Sequence, residues 1–446
     1  DDESSIERSA YGWSNLKTPN FDRVAEHGIL FTHAFTTAPS CAPSRASVLT
    51  GRDFWELEQG AFIQSYLPKK FPLFTTILAH NGYLVGHTGK TWGPGSFLEE
   101  GHTEFSGTGY NHTKAKKSIA GIATNDYATN FDSFLKDRKE DQPFFFWAGV
   151  HEPHDPHGPE NYSLLEKEYD IGINEIQLFT GIEDTKENRQ ARGNYLYEIG
   201  YADLHLGRML DILEAQNELD NTIVVVTSDN GTPVSRGPAL IGKASAYDLG
   251  VHIPMALMWP KHVKAGRKVS DFISFSDLAP TFLEVAEINP PNTMSGKSLF
   301  PILSSEKSGR IEPKRDFVVT GLEWHGEFDP ISRSSRSIRD NRFAYVVHYN
   351  NVDENGVHLT KEEAIKPVKT EFYDLQNDPW QLTDLKTDPE YSDTMETLAK
   401  KLHQNGIRTK DPRFTGEMDI FIKTRQYVQK RKKLGYGETL KLPYSD

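Results

Sequence analysis

Along the first ~300 residues, stretches with apolar side chains at helical spacing alternate with short runs that are apolar throughout, the pattern of a sheet covered by helices. Thr18-Pro19 reads as an N-cap followed by proline at the first helical position, with Phe21, Val24 and Ala25 on one face. Gly28 to Thr36 is expected to form a strand, Phe71 to Asn81 a helix closed by Gly82, and Tyr83 to Thr88 the next strand. Pro143 to Val150 (Pro-Phe-Phe-Phe-Trp-Ala-Gly-Val) has no polar alternation, which predicts a buried strand. A long helix is predicted from Asn188 to Glu214, with Ile199, Leu206, Met209, Leu210 and Leu213 available for packing. Strands at Thr222–Ser228 and Ile253–Trp259 follow, then a helix over 276–286. The predicted fold class is α/β, with a large, mostly parallel mixed sheet sandwiched by helices.

After residue 310 the texture changes. Phe317–Trp324, Ser337–Tyr349 and Glu371–Leu375 read as antiparallel strands, and Glu390–His403 as a helix. Two domains are expected: 1–310, and a smaller α+β domain over 311–446 carrying an antiparallel sheet. The segment from Thr409 onward is polar, and its run Lys430-Arg431-Lys432-Lys433 reads as a solvated surface.

Composition narrows the classes. The 446 residues are 37% hydrophobic and 25% charged, ordinary values for a globular chain. No apolar run approaches the ~20 residues of a membrane helix. The net charge of −13 argues against nucleic acid or an anionic membrane as the main partner. A small anionic substrate stays open, provided its site is locally basic. One cysteine excludes intrachain disulfides. The sequons at Asn111 and Asn161 read as coincidental. The sequence begins abruptly at Asp1-Asp2 with no visible signal peptide, so a processed upstream segment is one reading of that start.

Several apolar strands run directly into polar groups. Pro143–Val150 leads into His151-Glu-Pro-His154-Asp-Pro-His157, Thr222–Ser228 into Asp229-Asn230-Gly231, and Tyr83–Thr88 into Gly89-Lys90. Ligands of open α/β sheets bind outside the carboxyl ends of the strands, so these segments are expected to share one crevice. Asp1-Asp2 joins the same edge if a strand precedes it. Each piece has a plainer reading: Asn230-Gly231 as a hairpin turn, the histidine loop as solvated punctuation, Lys90 and Lys243 as surface lysines. It is the combination that carries the inference. Asp1, Asp2, Asp229 and Asn230 form an all-oxygen ligand set, which favours Ca2+ or Mg2+ over zinc.

The lone cysteine opens a predicted helix, Cys41-Ala-Pro-Ser-Arg-Ala-Ser-Val-Leu-Thr-Gly51-Arg52, with Arg45 one turn further in. The helix macrodipole and the arginine suit that position to an anionic nucleophile or substrate. A buried, inert thiol is the plainer reading. The string resembles the signature of the type I sulfatases, Cys-x-Pro-Ser-Arg-x-x-x-Leu-Thr-Gly-Arg. The resemblance implies an alkaline-phosphatase-like fold, and conversion of Cys41 to formylglycine by a formylglycine-generating enzyme. It further implies a metal, usually Ca2+, held by Asp1, Asp2, Asp229, Asn230 and position 41. Lys90 lies in a Gly-Lys element similar to the family's, His154 matches the second histidine of its His-x-Pro-His loop, and Lys243 resembles its late lysine. The spacing around Cys41, His154 and His325 is most similar to the sulfamidase branch.

The resemblance implies hydrolysis of sulfate esters of a sulfated saccharide by a periplasmic or secreted enzyme. The nucleophile is a hydroxyl of the hydrated aldehyde. Lys90 and Lys243 hold the sulfate oxygens, His154 protonates the leaving sugar oxygen, and Arg45 orients position 41. His325, Arg333 and Arg336 form a basic cluster expected to line a sugar pocket. One departure stands out: where the family has a histidine two residues after the lysine, this chain has Trp92. Open alternatives are cleavage of an N-sulfate on glucosamine, hydrolysis of phosphate or phosphonate monoesters, and a non-catalytic saccharide-binding protein.

Overall fold

The computed structural model describes residues 1–13, 15–98, 100–103, 107–116, 118–236, 239–326 and 334–434. Its strands up to residue 274 are β1 (Ile29–Phe31), β2 (Ala34–Phe35), β3 (Leu84–Gly89), β4 (Thr108–Gly109), β5 (Phe144–Gly149), β6 (Val224–Thr227), a short hairpin of β7 (Ser235–Arg236) and β8 (Ala239–Leu240), β9 (Met255–Met258), β10 (Arg267–Val269) and β11 (Ile273–Ser274). Then come β12 (Phe317–Leu322), β13 (Ser334–Asp340), β14 (Phe343–Tyr349) and β15 (Pro367–Asp374).

The two larger sheets of the α/β part are accompanied by the two-stranded pairs β11-β2 and β7-β8. One of the larger sheets has the order β10-β1-β9-β6, with β9 antiparallel to both neighbours and β10 parallel to β1; the other is the all-parallel β4-β3-β5. The expected Gly28–Thr36 strand is split at Thr32-His33, because its halves pair with different partners: β1 with β9 and β10, β2 with β11. The long helix spans Lys186–Ala215 and buries Ile199, Leu210 and Leu213. Pro19–Glu26 opens at Thr18-Pro19 and buries Phe21, Val24 and Ala25. The helix expected over 276–286 runs from Leu278 to Val285, after a 3-10 turn at Phe275–Asp277.

β5 and β6 are less enclosed than their apolar sequences predict, since almost every residue of both strands is only partly buried. Both border an internal cavity of about 670 Å³.

The C-terminal part is the antiparallel sheet β12-β13-β14-β15 with helices at Ser392–Arg408 and Asp419–Leu434. The single strand expected over Ser337–Tyr349 is a hairpin. Asp340 Oδ1 accepts the backbone N–H groups of Arg342 and Phe343 at 2.9 and 2.8 Å and turns the chain there. The segment after Thr409 is not a solvated tail as far as Leu434: Met418, Phe421 and Val428 are fully buried, and Arg431 donates to Gln64 O at 2.9 Å. Among the described residues, no helix is long and apolar enough to cross a membrane.

Candidate active site

The signature segment forms the helix Cys41–Thr50, buried along its whole length. It is capped by extended Ser40 and closed by Gly51 at φ 65°, in the left-handed region that favours glycine. Its polar residues bind neighbouring backbone. Ser44 Oγ donates to Asp229 O at 2.5 Å, and Thr36 Oγ1 donates to Ser44 Oγ at 2.8 Å. The helix start, carrying Cys41 and Arg45, is thereby tied to the carboxyl end of β6.

The predicted convergence is present. Ligand-type atoms of Asp1, Asp2, Cys41 and His154 all lie within 4.8 Å of one another. Lys90, at the end of β3, places Nζ 2.5 Å from Asp1 Oδ2 and 3.2 Å from Cys41 Sγ. Lys243 Nζ donates to Asp2 Oδ2 at 2.6 Å. Arg45 Nε donates to Asp229 Oδ2 at 2.7 Å, while its Nη1 reaches Lys90 O at 3.0 Å and Thr91 O at 2.8 Å. Asp2 N–H donates to Asp229 Oδ1 at 3.2 Å, and Asn230 Nδ2 to Asp2 Oδ1 at 2.8 Å. Asp229-Asn230-Gly231 is therefore the floor of the site and not a hairpin turn. Lys90 and Lys243 are no surface lysines either, their side chains being 11% and 12% exposed.

Three buried cations thus balance three buried carboxylates. Burial would raise Asp2, yet Lys243 and then His154 hold it below its ordinary value. Burial likewise works against Asp229, but Arg45 and Lys90 hold it well below the carboxylate range. Lys243 is raised, because Cys41 and Asp2 outweigh the effect of its burial. Burial lowers His154 despite the attraction of Asp2. His325 is pushed down to about 3, by burial first and then by Lys243. Both rings are therefore neutral at pH 7.

The donor set fits a hard divalent cation. Asp1 and Asp2 supply carboxylate oxygens in the group that also holds Cys41 and His154, Asp229 Oδ1 lies beside them as the acceptor of Asp2 N–H, and Asn230 Oδ1 is buried with no hydrogen-bond partner among the described residues. An orphaned carbonyl oxygen next to the Asp2 and Asp229 carboxylates is a ligand-type arrangement.

The second basic cluster divides. His325 reaches the site, with Nδ1 2.8 Å from Ser40 Oγ beside Cys41. Arg336 does not. Its guanidinium is fully buried against Asp411 Oδ2 at 2.5 Å and Glu323 Oε1 at 2.8 Å, so it braces the C-terminal sheet and is not presented to a sugar. Arg333 lies outside the described residues. Trp92, where a histidine was expected, is 5% exposed and belongs to the main hydrophobic core. The sequons agree with their plain reading: Asn161 is buried, and Asn111 Oδ1 accepts the backbone N–H of Gly89 at 2.7 Å.

Sequence reasoning missed Tyr195, whose hydroxyl donates to Asp2 O at 2.8 Å. It sits on the long helix, where nothing in the local sequence separates it from core aromatics. It also passed over Ser44 as the link to Asp229, although a serine inside the signature was visible.

Comparison with known proteins agrees with this geometry. The sulfatase family model matches residues 1–288, and the model described as N-sulphoglucosamine sulphohydrolase, C-terminal, matches 239–408. An ulvan-active sulfatase of Formosa agariphila is 26% identical over 90% of this chain and 77% of its own length. The human N-sulphoglucosamine sulphohydrolase is 26% identical over 92% of this chain and 89% of its own length. Among solved structures, a protein in complex with its substrate D-glucosamine-2-N,6-O-disulfate aligns with a TM-score of 0.69 at 21% identity, covering 92% of this chain and 97% of that one. The phosphonate monoester hydrolase of Agrobacterium radiobacter aligns with a TM-score of 0.68 at 20% identity, covering 93% and 95%. Likeness at that level establishes the shared fold. With a family model spanning well over half of the chain and the signature helix at the centre of a charged, buried cluster, the chain belongs to the sulfatase family, whose members hydrolyse sulfate esters.

Proposed function

We propose that this sulfatase acts on sulfate esters of a saccharide at a chain end. In this reading Cys41 serves as formylglycine, and Ca2+, with Mg2+ as the alternative, is held by Asp1, Asp2, Asp229, Asn230 and position 41. The observation that carries it is the meeting of Cys41 Sγ with Lys90 Nζ at 3.2 Å inside the carboxylate cluster. When bound, the cation supplies Lewis-acid polarisation of sulfate oxygens, and the formylglycine hydrate supplies a hydroxyl nucleophile.

The chain's own residues do the rest. Lys90 and Lys243 are the cations available to the sulfate oxygens, and a metal taking over Asp1 and Asp2 would relieve them of charge neutralisation there. Arg45, held by Asp229 and the Lys90 and Thr91 carbonyls, fixes the first turn of the helix and with it position 41. His154 protonates the leaving sugar oxygen as the S–O bond breaks. Its ring is neutral in the resting site, and the negative charge of an arriving sulfate raises its proton affinity. His325 lines the sugar side next to Ser40, with Arg333 as a second candidate. The relatives named for ulvan and glucosamine sulfates support a sulfated polysaccharide fragment as substrate. Maturation by a formylglycine-generating enzyme and a periplasmic or secreted location in a bacterium complete the proposal.

The match of residues 239–408 to the N-sulphoglucosamine sulphohydrolase C-terminal model favours a second reading, cleavage of a glucosamine N-sulfate. Sulfate release from a panel of O- and N-sulfated saccharides and phosphonate esters decides, paired with mass spectrometry of the peptide holding position 41. Release from O-sulfated sugars by protein carrying the aldehyde is expected. Activity confined to N-sulfate selects the second reading. Phosphonate turnover far above sulfate, or full activity with an unmodified thiol, overturns both.

A further inference from the structure

Beneath the C-terminal sheet, five charged side chains meet away from solvent, and their charges do not balance. Arg336 and Arg413 are fully satisfied. Arg336 donates to Asp411 through Nε and Nη2 at 2.5 and 2.8 Å, to Glu323 Oε1 at 2.8 Å and to Ser335 O at 2.9 Å. Arg413 donates to Glu323 Oε1 at 3.2 Å, to Glu323 Oε2 at 2.7 Å and to Ala364 O. Arg425, on the helix Asp419–Leu434, is the third guanidinium of the group. Its Nη2 lies 3.5 Å from Glu323 Oε2, an ion-pair distance without a hydrogen bond. Its Nε, Nη1 and Nη2 are all buried, and none has a hydrogen-bond partner among the described residues. Arg425 and Glu323 are both 0% exposed, so water outside the protein does not serve these donors. Three guanidiniums thus share two carboxylates, and the surplus is one positive charge.

A buried guanidinium without acceptors is costly, and native interiors rarely leave one so. The Phe62 ring, its centre 5.7 Å from the guanidinium carbon, offers only a weak attraction. Burial pulls Arg425 down to about 9, against the attraction of Glu323, so it still carries its proton and its charge at pH 7. His358 adds no negative charge: burial and then Arg425 hold it below its ordinary value, and its buried Nδ1 likewise has no partner. We infer that Arg425 binds a small monovalent anion of the chloride class, whose ligands are the guanidinium N–H groups that Glu323 leaves unused. One negative charge restores neutrality to the cluster, whereas a dianion such as sulfate would reverse the imbalance. The site is therefore distinct in chemistry from the one around Cys41. Its anion ties the helix Asp419–Leu434 to Glu323, which lies just after β12 and two residues before His325.

Thermal unfolding and anomalous diffraction of the whole chain test this. At equal ionic strength, chloride in place of gluconate, an anion too bulky for a fully buried site, should raise the melting temperature by at least about 2 °C and saturate with concentration. Crystals soaked in bromide should show an anomalous peak in contact with the Arg425 guanidinium. Arg425→Met keeps the length of the side chain and leaves two guanidiniums with two carboxylates, so it should erase both the chloride increment and the bromide peak. The bromide experiment on the unaltered protein stands even if this variant does not fold. Absence of a bromide peak at Arg425, with water alone in its place, overturns the inference. So does a chloride increment that persists in Arg425→Met, which would place the anion elsewhere, as at Lys90 and Lys243. A bromide peak without any effect of chloride on melting marks an adventitious ion only, and overturns it as well.

Discussion

At the scale of single residues, Arg336 and Lys90 show how similar charges take different roles. Lys90 points its Nζ at Asp1 and Cys41 in the candidate site, whereas Arg336 is spent between Glu323 and Asp411. From sequence alone both were basic residues at plausible distances from motifs. What separates them is the carboxylate each meets through the fold, and Glu323 and Asp411 carry no local signal that they meet Arg336. Arg336→Ala leaves those two carboxylates buried with fewer partners, so it should cost on the order of 3–5 kcal/mol in denaturant unfolding while leaving KM of the folded enzyme near its original value. A KM increase without loss of stability would restore it to the sugar pocket. Glu323 adds a pH dependence. Burial alone would raise it, but Arg413 and Arg336 pull it down to about 2. Because its folded value lies below its unfolded one, its stabilisation is present above about pH 4.5 and is lost as pH falls toward 2. Melting temperature should therefore drop along that limb, by an amount worth up to roughly 3 kcal/mol, and Glu323→Gln should flatten it.

At the scale of elements, the strand ends were legible because an apolar run meeting a polar group marks the place where a buried strand surfaces. Asp229, Lys90 and His154 were found that way, and the Cys41 helix by the proline and serine of its first turn and its terminal glycine. Strand breaks were less legible. Gly28–Thr36 divides where pairing partners change, which no local pattern encodes, although Asp340-Asn341 at the β13–β14 turn was a turn signal inside an otherwise strand-like run. The meeting of β3 and β5 shows how elements position chemistry. Lys90 N–H donates to Gly149 O at 2.7 Å, and a Cβ on Gly149 would lie 1.7 Å from Lys90 O. Backbone cannot yield as a side-chain tip does, so Gly149→Ala must push the two strand ends apart. The expected result is a stability loss of about 1–3 kcal/mol together with a fall in turnover, since the displaced segment carries Lys90 and the carbonyls that hold Arg45. Unchanged kinetics with an unchanged melting curve would mean that the strands do not approach so closely.

At the scale of the molecule, we propose that the boundary at residues 310 and 311 separates architectures but not stabilities. The main core runs through both parts, taking Phe31, Leu49, Phe54 and Phe74 from the first, and Ile338, Phe372, Phe421 and Val428 from the second. Trp55 Nε1 donates to Thr409 Oγ1 at 3.1 Å, the Phe62 and Phe421 rings meet edge to face at 5.4 Å, and the Arg336 guanidinium lies 4.9 Å from the Phe54 ring centre. Gly321 N–H donates to Thr37 O at 3.0 Å, and His325 reaches Ser40, so the C-terminal sheet also braces the segment that leads into the signature helix. Removing residues 311–446 would uncover Phe54, Trp55 and Phe62, each at most 2% exposed, and leave a contiguous apolar patch of the kind that drives association. Calorimetry of the whole chain should accordingly show one cooperative transition, with the calorimetric enthalpy equal to the van't Hoff value. A fragment ending at residue 310 should be insoluble, or molten in its near-ultraviolet circular dichroism. Two separated transitions, or a soluble fragment with native-like spectra, would make the parts independent, and the placement of His325 beside Ser40 would then be a docking of two bodies instead of a consequence of one shared core.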